Sequence, residues 1–224
     1  MLKAPYHTVK IVDADYVNHD VKRFIVERPD GYNFIPGQAA DIAINLPEWK
    51  SKLRPFTIIS LTESPYLEFA IKIYDHDGVT KQLGKTNTGA ELLLHEPFGS
   101  ILFKGPGIFI AAGSGVTPFI AILRDLHNRN MVEGNTLILS NKTAEDIIYG
   151  EELFNILGAA FINVFTRQGV IGFNERRIDK RYLVETIRDF GGNFYVCGPN
   201  QFVTEISAHL LSLGASAETL IFEH

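Results

Sequence analysis

The chain has 224 residues, 46% of them hydrophobic and 21% charged, with a formal net charge of −5. This composition is typical of a folded globular protein with one large or two small domains. The acidic balance gives no electrostatic basis for nucleic-acid binding. One cysteine, Cys197, can neither form an internal disulfide nor supply the cysteine set of an iron–sulfur cluster. The seven histidines show no metal-binding spacing, and we expect no metal.

Nothing in the sequence predicts secretion or a membrane span. Residues 1–6 lack the apolar core of a signal peptide. The longest apolar run, residues 108–112, is far shorter than the ~20 residues that a membrane-spanning helix needs. We therefore expect a monomeric cytoplasmic protein in a reducing compartment, bound to neither nucleic acid nor membrane.

The first hundred residues predict short strands separated by turns. Alternating apolar and polar residues predict strands at 9–12, 21–26, 40–44, 54–61, 67–74 and 90–94. Residues 78–85 predict one short helix. Because this pattern is typical of small barrels, we predict an antiparallel six-stranded Greek-key β-barrel in residues 1–104.

The pattern changes after the sequence Lys-Gly-Pro-Gly at 104–107, which predicts a hinge between two domains. Strands are expected at 108–112, 136–139, 161–165, 193–197 and 220–222, and helices at 118–128, 144–157, 180–190 and 200–213. Thr117 is the expected N-cap of the first of these helices. Repeated βα units predict an α/β domain in residues 105–224, with a doubly wound parallel five-stranded sheet. Such sheets bind ligands at the carboxyl ends of their strands.

One candidate site is the turn Gly-Ser-Gly-Val-Thr-Pro at 113–118, directly after a buried strand. A glycine turn lets the backbone approach a ligand closely, and the helix that follows presents unpaired N–H groups and a positive dipole end. That arrangement suits a pyrophosphate. The sequence lacks the third glycine of the G-x-G-x-x-G pattern, so an ordinary strand-to-helix turn is an equal alternative.

Three other motifs are ambiguous when each is taken alone. The sequence Arg-Pro-Phe-Thr at 54–57 places a cation, a ring and a hydroxyl on an extended segment, but an ordinary barrel strand explains it as well. Residues 77–80 either cap a helix or bind phosphate through Gly78 and the Thr80 hydroxyl. Cys197 precedes a Gly-Pro break, where it is either a ligand contact or a small buried hydrophobe.

Taken together and in this order, the four motifs resemble those of the ferredoxin–NADP reductase-like flavoproteins. This family includes flavodoxin reductases and the reductase components of oxygenases. Its marks are R-x-[YF]-[ST], a glycine–Ser/Thr turn before a short helix, G-x-G-x-T-P, and C-G-P, and the resemblance covers nearly the whole chain. It implies a barrel that binds FAD, followed by a domain that binds NAD(P)H as co-substrate.

The resemblance also implies roles for individual residues. Arg54 would pair with the FAD pyrophosphate, Phe56 would pack against the flavin, and Thr57 would hydrogen-bond near flavin N5. The implied catalytic residues are Thr57, Cys197 and Glu223. The implied FAD-binding residues are Arg54, Pro55, Phe56, Thr57, Ile71, Lys72, Ile73, Gly78, Val79 and Thr80. The implied nucleotide-binding residues are Gly113, Gly115, Thr117, Pro118, Cys197, Gly198 and Pro199.

Specificity for NADH or NADPH depends on cations near the adenosine ribose. Candidates are Lys142, Arg167, Arg176 and Arg177, which either bind a 2′-phosphate or form a solvated basic cluster. With Arg176 and Arg177 taken as one site, three candidate sites favour NADPH, although related positions are often basic in NADH users too.

Two positions depart from the family's pattern. Phe56 stands where the family often has tyrosine, so one hydroxyl is lost and the ring is kept. Many members end in an aromatic residue that covers the flavin, whereas this sequence ends Phe222-Glu223-His224. Either His224 stacks on the flavin in its place or the flavin face is open.

The resemblance implies an oxidoreductase that passes electrons from NAD(P)H through flavin to a separate acceptor, with flavodoxin or ferredoxin expected first. Acidic partners of that kind need a basic rim, for which the candidates are Lys50, Lys52, Lys81 and Lys85. Scattered solubilising lysines are an equal alternative. Two other functions remain open: a free flavin or quinone reductase, and a non-turnover flavin-binding electron-transfer subunit of a larger complex.

Overall fold

The computed structural model describes residues 6–99, 101–167 and 176–222. Its N-terminal strands are β1 (Tyr6–Tyr16), β2 (Val21–Glu27), β3 (Ala39–Ile44), β4 (Arg54–Thr57), β5 (Tyr66–Lys72) and β6 (Glu91–Phe98), with helix α1 (Val79–Gly84) between β5 and β6. They form one antiparallel sheet in the order β4-β3-β6-β1-β2-β5. A hydrogen bond from the Ile59 N–H to the Glu68 carbonyl (2.8 Å) joins the chain just after β4 to β5 and closes the sheet. The predicted antiparallel six-stranded Greek-key β-barrel is confirmed.

Five parallel strands form the C-terminal sheet. They are β7 (Gly107–Ala112), β8 (Thr136–Asn141), β9 (Phe161–Phe165), β10 (Asn193–Cys197) and β11 (Leu220–Phe222). Their order is β11-β10-β7-β8-β9, so the chain leaves β7 in one direction and later returns to its other side. The predicted doubly wound parallel sheet is confirmed, and its switch point lies beside β7, where such sheets bind ligands.

Four helices cover this sheet in the described part of the chain. They are α2 (Thr117–Asn128), α3 (Gly150–Leu157), α4 (Lys180–Thr186) and α5 (Asn200–Ser212). Apolar clusters lie on both faces of the sheet, as parallel sheets require. Within the ranges given above, no helix is both long and apolar enough to cross a membrane.

The helix predicted over residues 144–157 is interrupted. A short 3-10 turn covers Ala144–Asp146, and α3 begins only at Gly150. Between them Tyr149 has a left-handed backbone (φ 52°), which is uncommon for a residue with a bulky side chain. The helical apolar spacing continues across this break, so it did not reveal the change of direction.

Thr117 is not the N-cap that the sequence predicts. A 3-10 turn at Gly113–Val116 precedes α2, and Thr117 is the first residue of the helix. Its hydroxyl donates to the Ser114 carbonyl (3.0 Å) instead of accepting a hydrogen bond from the helix backbone.

The barrel and the parallel sheet share one apolar core. Val21, Ile59 and Ala70 of the barrel belong to the same buried cluster as Phe119 and Leu123 of α2. All five are at most 7% exposed. Because separating the two halves would expose these side chains to water, the hydrophobic effect holds the barrel against α2.

The segment at 104–107, predicted to be a hinge, is bound to the parallel sheet. The buried Tyr195 hydroxyl accepts from the Lys104 N–H (2.9 Å) and donates to the Gly105 carbonyl (2.7 Å). The Asn193 amide donates to the Pro106 carbonyl (3.2 Å), and Asn135 accepts from the Gly107 N–H (3.2 Å). These bonds fix the linker, although its glycines and proline are typical of a flexible one.

Candidate cofactor and nucleotide site

A cleft of about 710 Å³ lies between the barrel and the carboxyl edge of the parallel sheet. One wall comes from β4, β5 and α1, and the other from the turn after β7 and the ends of β8 and β10. The predicted site residues that line it are Pro55, Phe56, Thr57, Ile71, Lys72, Thr80, Gly113, Gly115, Thr117, Pro118, Lys142, Cys197, Gly198 and Pro199. The structure therefore brings all four motifs to one cleft.

The two main motifs touch each other in the cleft. The Thr117 hydroxyl lies 3.1 Å from the Thr57 hydroxyl, within hydrogen-bond distance. Thr57 ends β4 of the barrel, whereas Thr117 begins α2 beside the switch point of the sheet. A ligand bound along β4 and a second ligand bound at the turn would consequently meet at these two hydroxyls.

The glycine turn packs directly on the Cys-Gly-Pro segment. A Cβ atom at Gly115 would lie 2.6 Å from both the Cys197 carbonyl oxygen and the Gly198 Cα atom. Gly113 has a left-handed backbone (φ 54°), which glycine adopts without steric cost. The second glycine therefore permits the close approach of two loops, and the first permits the turn. Together they leave backbone exposed to the cleft, as a phosphate cradle requires.

Several predicted residues are not in the cleft lining. Arg54 is exposed, directly precedes Pro55 of the lining, and donates to the Leu53 carbonyl (2.8 Å). Val79 is buried, and Ile73 packs against the barrel core, so these two side chains help to build the barrel. Gly78, Arg167 and Arg177 also lie outside the lining. Glu223 and His224 are outside the described residues.

The cleft-lining residues that sequence reasoning missed include the polar residues Ser140, Asn141, Asp146 and Thr166. They follow or end β8 and β9, at the same sheet edge as the glycine turn. A signal was available, because polar residues at the carboxyl ends of predicted parallel strands gather at one edge. Without the strand order, that signal does not say which of them face the ligand.

A polar contact crosses between the barrel and the sheet beside the cleft, because His19 lies 3.6 Å from Asp146. The charged residues of the cleft lining are Lys72, Lys142 and Asp146. Lys72 of β5 pairs with Asp20 (2.6 Å), so its charge is largely cancelled. Lys142 is exposed, and it is the cation of the lining best placed to meet a phosphate-bearing ligand.

A second network of charges joins the domains behind the cleft, around Arg124 of α2. Its guanidinium donates to both oxygens of Glu152 (2.6 and 2.9 Å), to Glu68 (3.0 Å) and to the Ile59 carbonyl (2.8 Å). The Tyr149 hydroxyl donates to the other Glu68 oxygen (2.8 Å). Tyr149 makes this contact from the break before α3, where its backbone is left-handed (φ 52°).

The surroundings of Arg124 and Tyr149 favour the protonated form of both side chains. Burial acts to lower the pKa of Arg124, but its hydrogen bond to Glu152 and the charges of Glu68 and Glu152 outweigh burial and raise the pKa above its ordinary value. Burial and then the Glu68 charge raise the pKa of Tyr149. These groups line a groove of about 950 Å³, larger than the cleft. Because Arg124, Glu68, Glu152 and Tyr149 bind one another, the groove is primarily a domain contact.

Two family models match the chain. The oxidoreductase FAD-binding domain matches residues 8–103, which form the barrel, and the oxidoreductase NAD-binding domain matches residues 109–208, which include most of the parallel sheet. Together they account for most of the chain. The FAD-binding match contains the Arg-Pro-Phe-Thr motif at 54–57, and the NAD-binding match contains the glycine turn at 113–118.

Curated relatives are remote oxidoreductases. NADH-cytochrome b5 reductase 2 of Mycosarcoma maydis is 25% identical over 223 residues, covering 90% of this chain and 64% of the relative. Methane monooxygenase component C of Methylosinus trichosporium is 28% identical over 155 residues, covering 64% of this chain and 45% of the relative. The chain therefore spans about half to two thirds of the length of these proteins.

Solved structures share the fold over the whole chain. A ferredoxin NADP+ reductase from Neisseria gonorrhoeae, with bound FAD and NADP, superimposes with a TM-score of 0.86 at 21% identity, covering 99% of both chains. The FAD/NAD-binding domain of a nitric oxide dioxygenase from Vibrio cholerae gives a TM-score of 0.85 at 21% identity, covering 96% of this chain and 97% of that one. With both domain models matched in this order and on this fold, the chain belongs to the ferredoxin reductase-like FAD/NAD(P) oxidoreductase family.

Proposed function

We propose that the protein is an FAD-dependent NAD(P)H oxidoreductase, with residues 1–104 as its FAD domain and 105–224 as its nucleotide domain. The contact between the Thr57 and Thr117 hydroxyls carries the proposal, because it places the FAD motif against the nucleotide turn. Bound FAD would supply the chemistry, namely acceptance of a hydride from NAD(P)H and transfer of single electrons to an acceptor. The protein's own task is to hold the two ligands in contact and in orientation.

The barrel wall fits a flavin dinucleotide. Phe56 offers an aromatic ring and Thr57 a hydroxyl, while Ile71 and Lys72 offer extended backbone along the cleft. Arg54 directly precedes Pro55 of the lining, and its guanidinium would exchange the Leu53 carbonyl for the pyrophosphate. Gly78, Val79 and Thr80 would supply backbone N–H groups to the same pyrophosphate.

The sheet wall fits a nicotinamide nucleotide. Gly113 and Gly115 expose backbone for the phosphates, and Thr117 and Pro118 open the helix behind them. Cys197, Gly198 and Pro199 would line the nicotinamide pocket at the end of β10. The catalytic role of Thr57 and Cys197 would be to position the reacting rings, and those of Glu223 and His224 remain predictions from the family's pattern.

NADPH is the nucleotide that the charges favour. Lys142 lines the cleft, and the Arg167 backbone donates to the Lys142 carbonyl (3.1 Å), which brings these two residues together at one edge. Arg176 instead pairs with Glu185 and lies over the Tyr182 ring (4.7 Å). Lys142 and Arg167 are therefore better candidates than Arg176 for the 2′-phosphate.

Flavodoxin or ferredoxin is the proposed acceptor. Of the lysines considered for a basic rim, Lys81 lies within 3.7 Å of carboxylates of Asp75 and Asp77, so its charge is largely cancelled. Lys52 lies over the Trp49 ring (4.0 Å), beside Lys50 and close to β4. An acidic acceptor would consequently meet Lys50 and Lys52 at the β4 end of the barrel.

The purified protein is expected to be yellow and to bleach when NADPH or NADH is added without oxygen. Ferricyanide and then flavodoxin or ferredoxin should restore the absorbance, because both take electrons from the reduced flavin. Stopped-flow absorbance follows both steps. Failure to bleach with either nucleotide would contradict the proposed activity. Reoxidation by free flavin but by neither protein acceptor would instead favour a free flavin reductase.

Arg54→Ala is expected to weaken FAD retention about tenfold or more, since charge-assisted hydrogen bonds to an anion contribute about 1.5–3 kcal/mol. The melting temperature of the FAD-free protein should stay the same, because the side chain is exposed. Flavin fluorescence after dialysis measures retention. Arg181→Ala, at an exposed arginine of α4, serves as the control. Equal flavin content in both variants would show that Arg54 does not contribute to FAD binding.

A further inference from the structure

Lys22 of β2 is a buried lysine inside the barrel. It shares one face of the strand with Phe24 and Val26, whose side chains belong to the barrel core, and it is 3% exposed. Its Nζ lies over the ring centres of Tyr16 (5.6 Å) and Phe24 (5.4 Å). Burial lowers the pKa of Lys22, although the charge of Asp15 acts in the opposite direction. A lysine is rarely buried in this way unless its charge is compensated.

The compensation comes from the C-terminal end of α1. Lys22 Nζ donates hydrogen bonds to the Gly84 carbonyl (3.2 Å), the Thr86 carbonyl (2.8 Å) and Asn87 Oδ1 (3.1 Å). Gly84 is the last residue of α1, and the other two residues follow shortly after it. A cation in this position binds carbonyl groups that a helix leaves without a partner at its C-terminal end. Lys22 thus binds the end of α1 to the barrel wall.

The opposite end of α1 belongs to the proposed FAD site. Thr80 lines the cleft, and residues 78–80 are the proposed backbone contacts of the pyrophosphate. Because α1 has six residues and is about 9 Å long, a shift of its C-terminal end is transmitted to Thr80. Val79 and Leu83 also pack into the barrel core, but apolar packing has no preferred direction. The hydrogen bonds of Lys22 are directional, so they determine where α1 lies along the barrel.

We infer that Lys22 is a positioning residue of the FAD site, which acts through α1 to hold residues 78–80 where they meet the pyrophosphate. The inference rests on the proposed function and adds to it a residue that lies outside the cleft lining. Lys22 itself would not touch FAD. If the lysine only stabilised the barrel, its loss would weaken every contact to the flavin alike, and this difference provides the test.

Lys22→Met keeps most of the side-chain volume and removes the hydrogen-bond donors. In the full chain freed of flavin, the affinity for FAD should fall about tenfold or more, which corresponds to the loss of about one charge-assisted hydrogen bond to the pyrophosphate. The affinity for riboflavin should stay near the parental value, because riboflavin has no phosphate and would bind at β4 through its ring system. Quenching of flavin fluorescence measures both dissociation constants.

Arg28→Met is the matched control. Arg28 directly follows β2, is partly buried and, like Lys22, lies over an aromatic ring. Its guanidinium also donates to carbonyl groups, those of Tyr32, Thr62 and Ser64, but these belong to loops outside the cleft lining. This variant should lower the melting temperature much as Lys22→Met does, while the ratio of its FAD affinity to its riboflavin affinity stays at the parental value.

Asn87→Ala tests the same anchor without a buried substitution. Asn87 is exposed, and its loss removes one acceptor of the Lys22 ammonium while the two carbonyl groups remain. The variant should therefore fold like the parent and lower the FAD affinity by a smaller factor than Lys22→Met, again with riboflavin affinity unchanged. If Lys22→Met does not fold, the two affinities of Asn87→Ala decide the question alone.

Three results would overturn the inference: a parallel loss of FAD and riboflavin affinity in Lys22→Met, parental FAD affinity in that variant, or an equal fall of the affinity ratio in Arg28→Met. A selective loss of FAD affinity in a protein that NAD(P)H does not bleach would contradict the proposed activity and leave the inference standing. Bleaching by NADPH or NADH, with the parental affinity ratio in both Lys22→Met and Asn87→Ala, would do the reverse.

Discussion

Arg124→Ala is expected to lower the free energy of unfolding by about 2–3 kcal/mol and to slow flavin reduction by NAD(P)H. The substitution removes hydrogen bonds to Glu68, Glu152 and the Ile59 carbonyl at once. Removing the cation from a buried pair costs about 3–5 kcal/mol. We expect the smaller loss of about 2–3 kcal/mol, because the Glu68 and Glu152 side chains are 20% and 35% exposed and can still reach water.

The kinetic effect of Arg124→Ala follows from its position. Arg124 belongs to α2, whose first residue is Thr117, and it binds the barrel at Ile59 and Glu68. Without it, α2 is held less firmly to the barrel, and the spacing of the two motifs in the cleft becomes less defined. Urea unfolding and stopped-flow reduction measure the two effects, with flavin content expected to stay near the parental value.

The control for Arg124→Ala is Arg129→Ala. Arg129 follows the same helix, is 56% exposed and pairs with Asp125 four residues earlier. Exposed pairs of this kind contribute about 0.3–0.5 kcal/mol, and no effect on flavin reduction is expected. If both variants were destabilised equally, the network around Arg124 would not hold the domains together.

Gly115→Ala is expected to lower kcat/KM for NAD(P)H about a hundredfold while leaving FAD bound. The added Cβ would meet backbone atoms of Cys197 and Gly198 at 2.6 Å, and backbone cannot move aside as a flexible side chain can. The turn or the Cys-Gly-Pro segment must shift, and a displacement of about 1 Å in a reacting geometry costs about a hundredfold in rate.

Gly192→Ala is the matched control for the Gly115 variant. A Cβ at Gly192 has no atom within 4 Å, so this alanine should be tolerated. Steady-state kinetics with NADPH and NADH and a flavin absorbance spectrum suffice for both proteins. Parental kcat/KM in Gly115→Ala would mean that nucleotide does not bind at this turn. Loss of flavin from Gly115→Ala would mean that the displacement of the turn also disturbs the FAD site on the barrel.

Local patterns in the sequence predicted both sheets, because each pattern depends on neighbouring residues. Alternation predicted the barrel strands, and repeated strand–helix units predicted the parallel sheet. The break at Tyr149 escaped prediction, and the contact that Tyr149 makes there is with Glu68, 81 residues away and outside any local pattern. A left-handed tyrosine has no local signature of its own.

The cleft was predicted in part, through motifs whose residues share a turn or a strand. Gly113, Gly115 and Thr117 lie together because they are consecutive on one turn, and the family's pattern added Thr57 opposite them. Asn141 and Asp146 escaped notice because their place in the cleft depends on the order of β7, β8 and β9. No local pattern singles out Arg124, because its barrel partners Ile59 and Glu68 are distant in the sequence.

The bonds of Tyr195 to the linker tie the end of the barrel to the parallel sheet. Ile101 and Phe103 pack into the apolar cluster that the barrel and the parallel sheet share, and Tyr195 binds the backbone at Lys104 and Gly105. The segment from Ile101 to Gly105 is thus held by residues of both halves. A chimaera that exchanges the barrel for that of a relative must preserve both sets of contacts, and a junction placed inside this segment would break them.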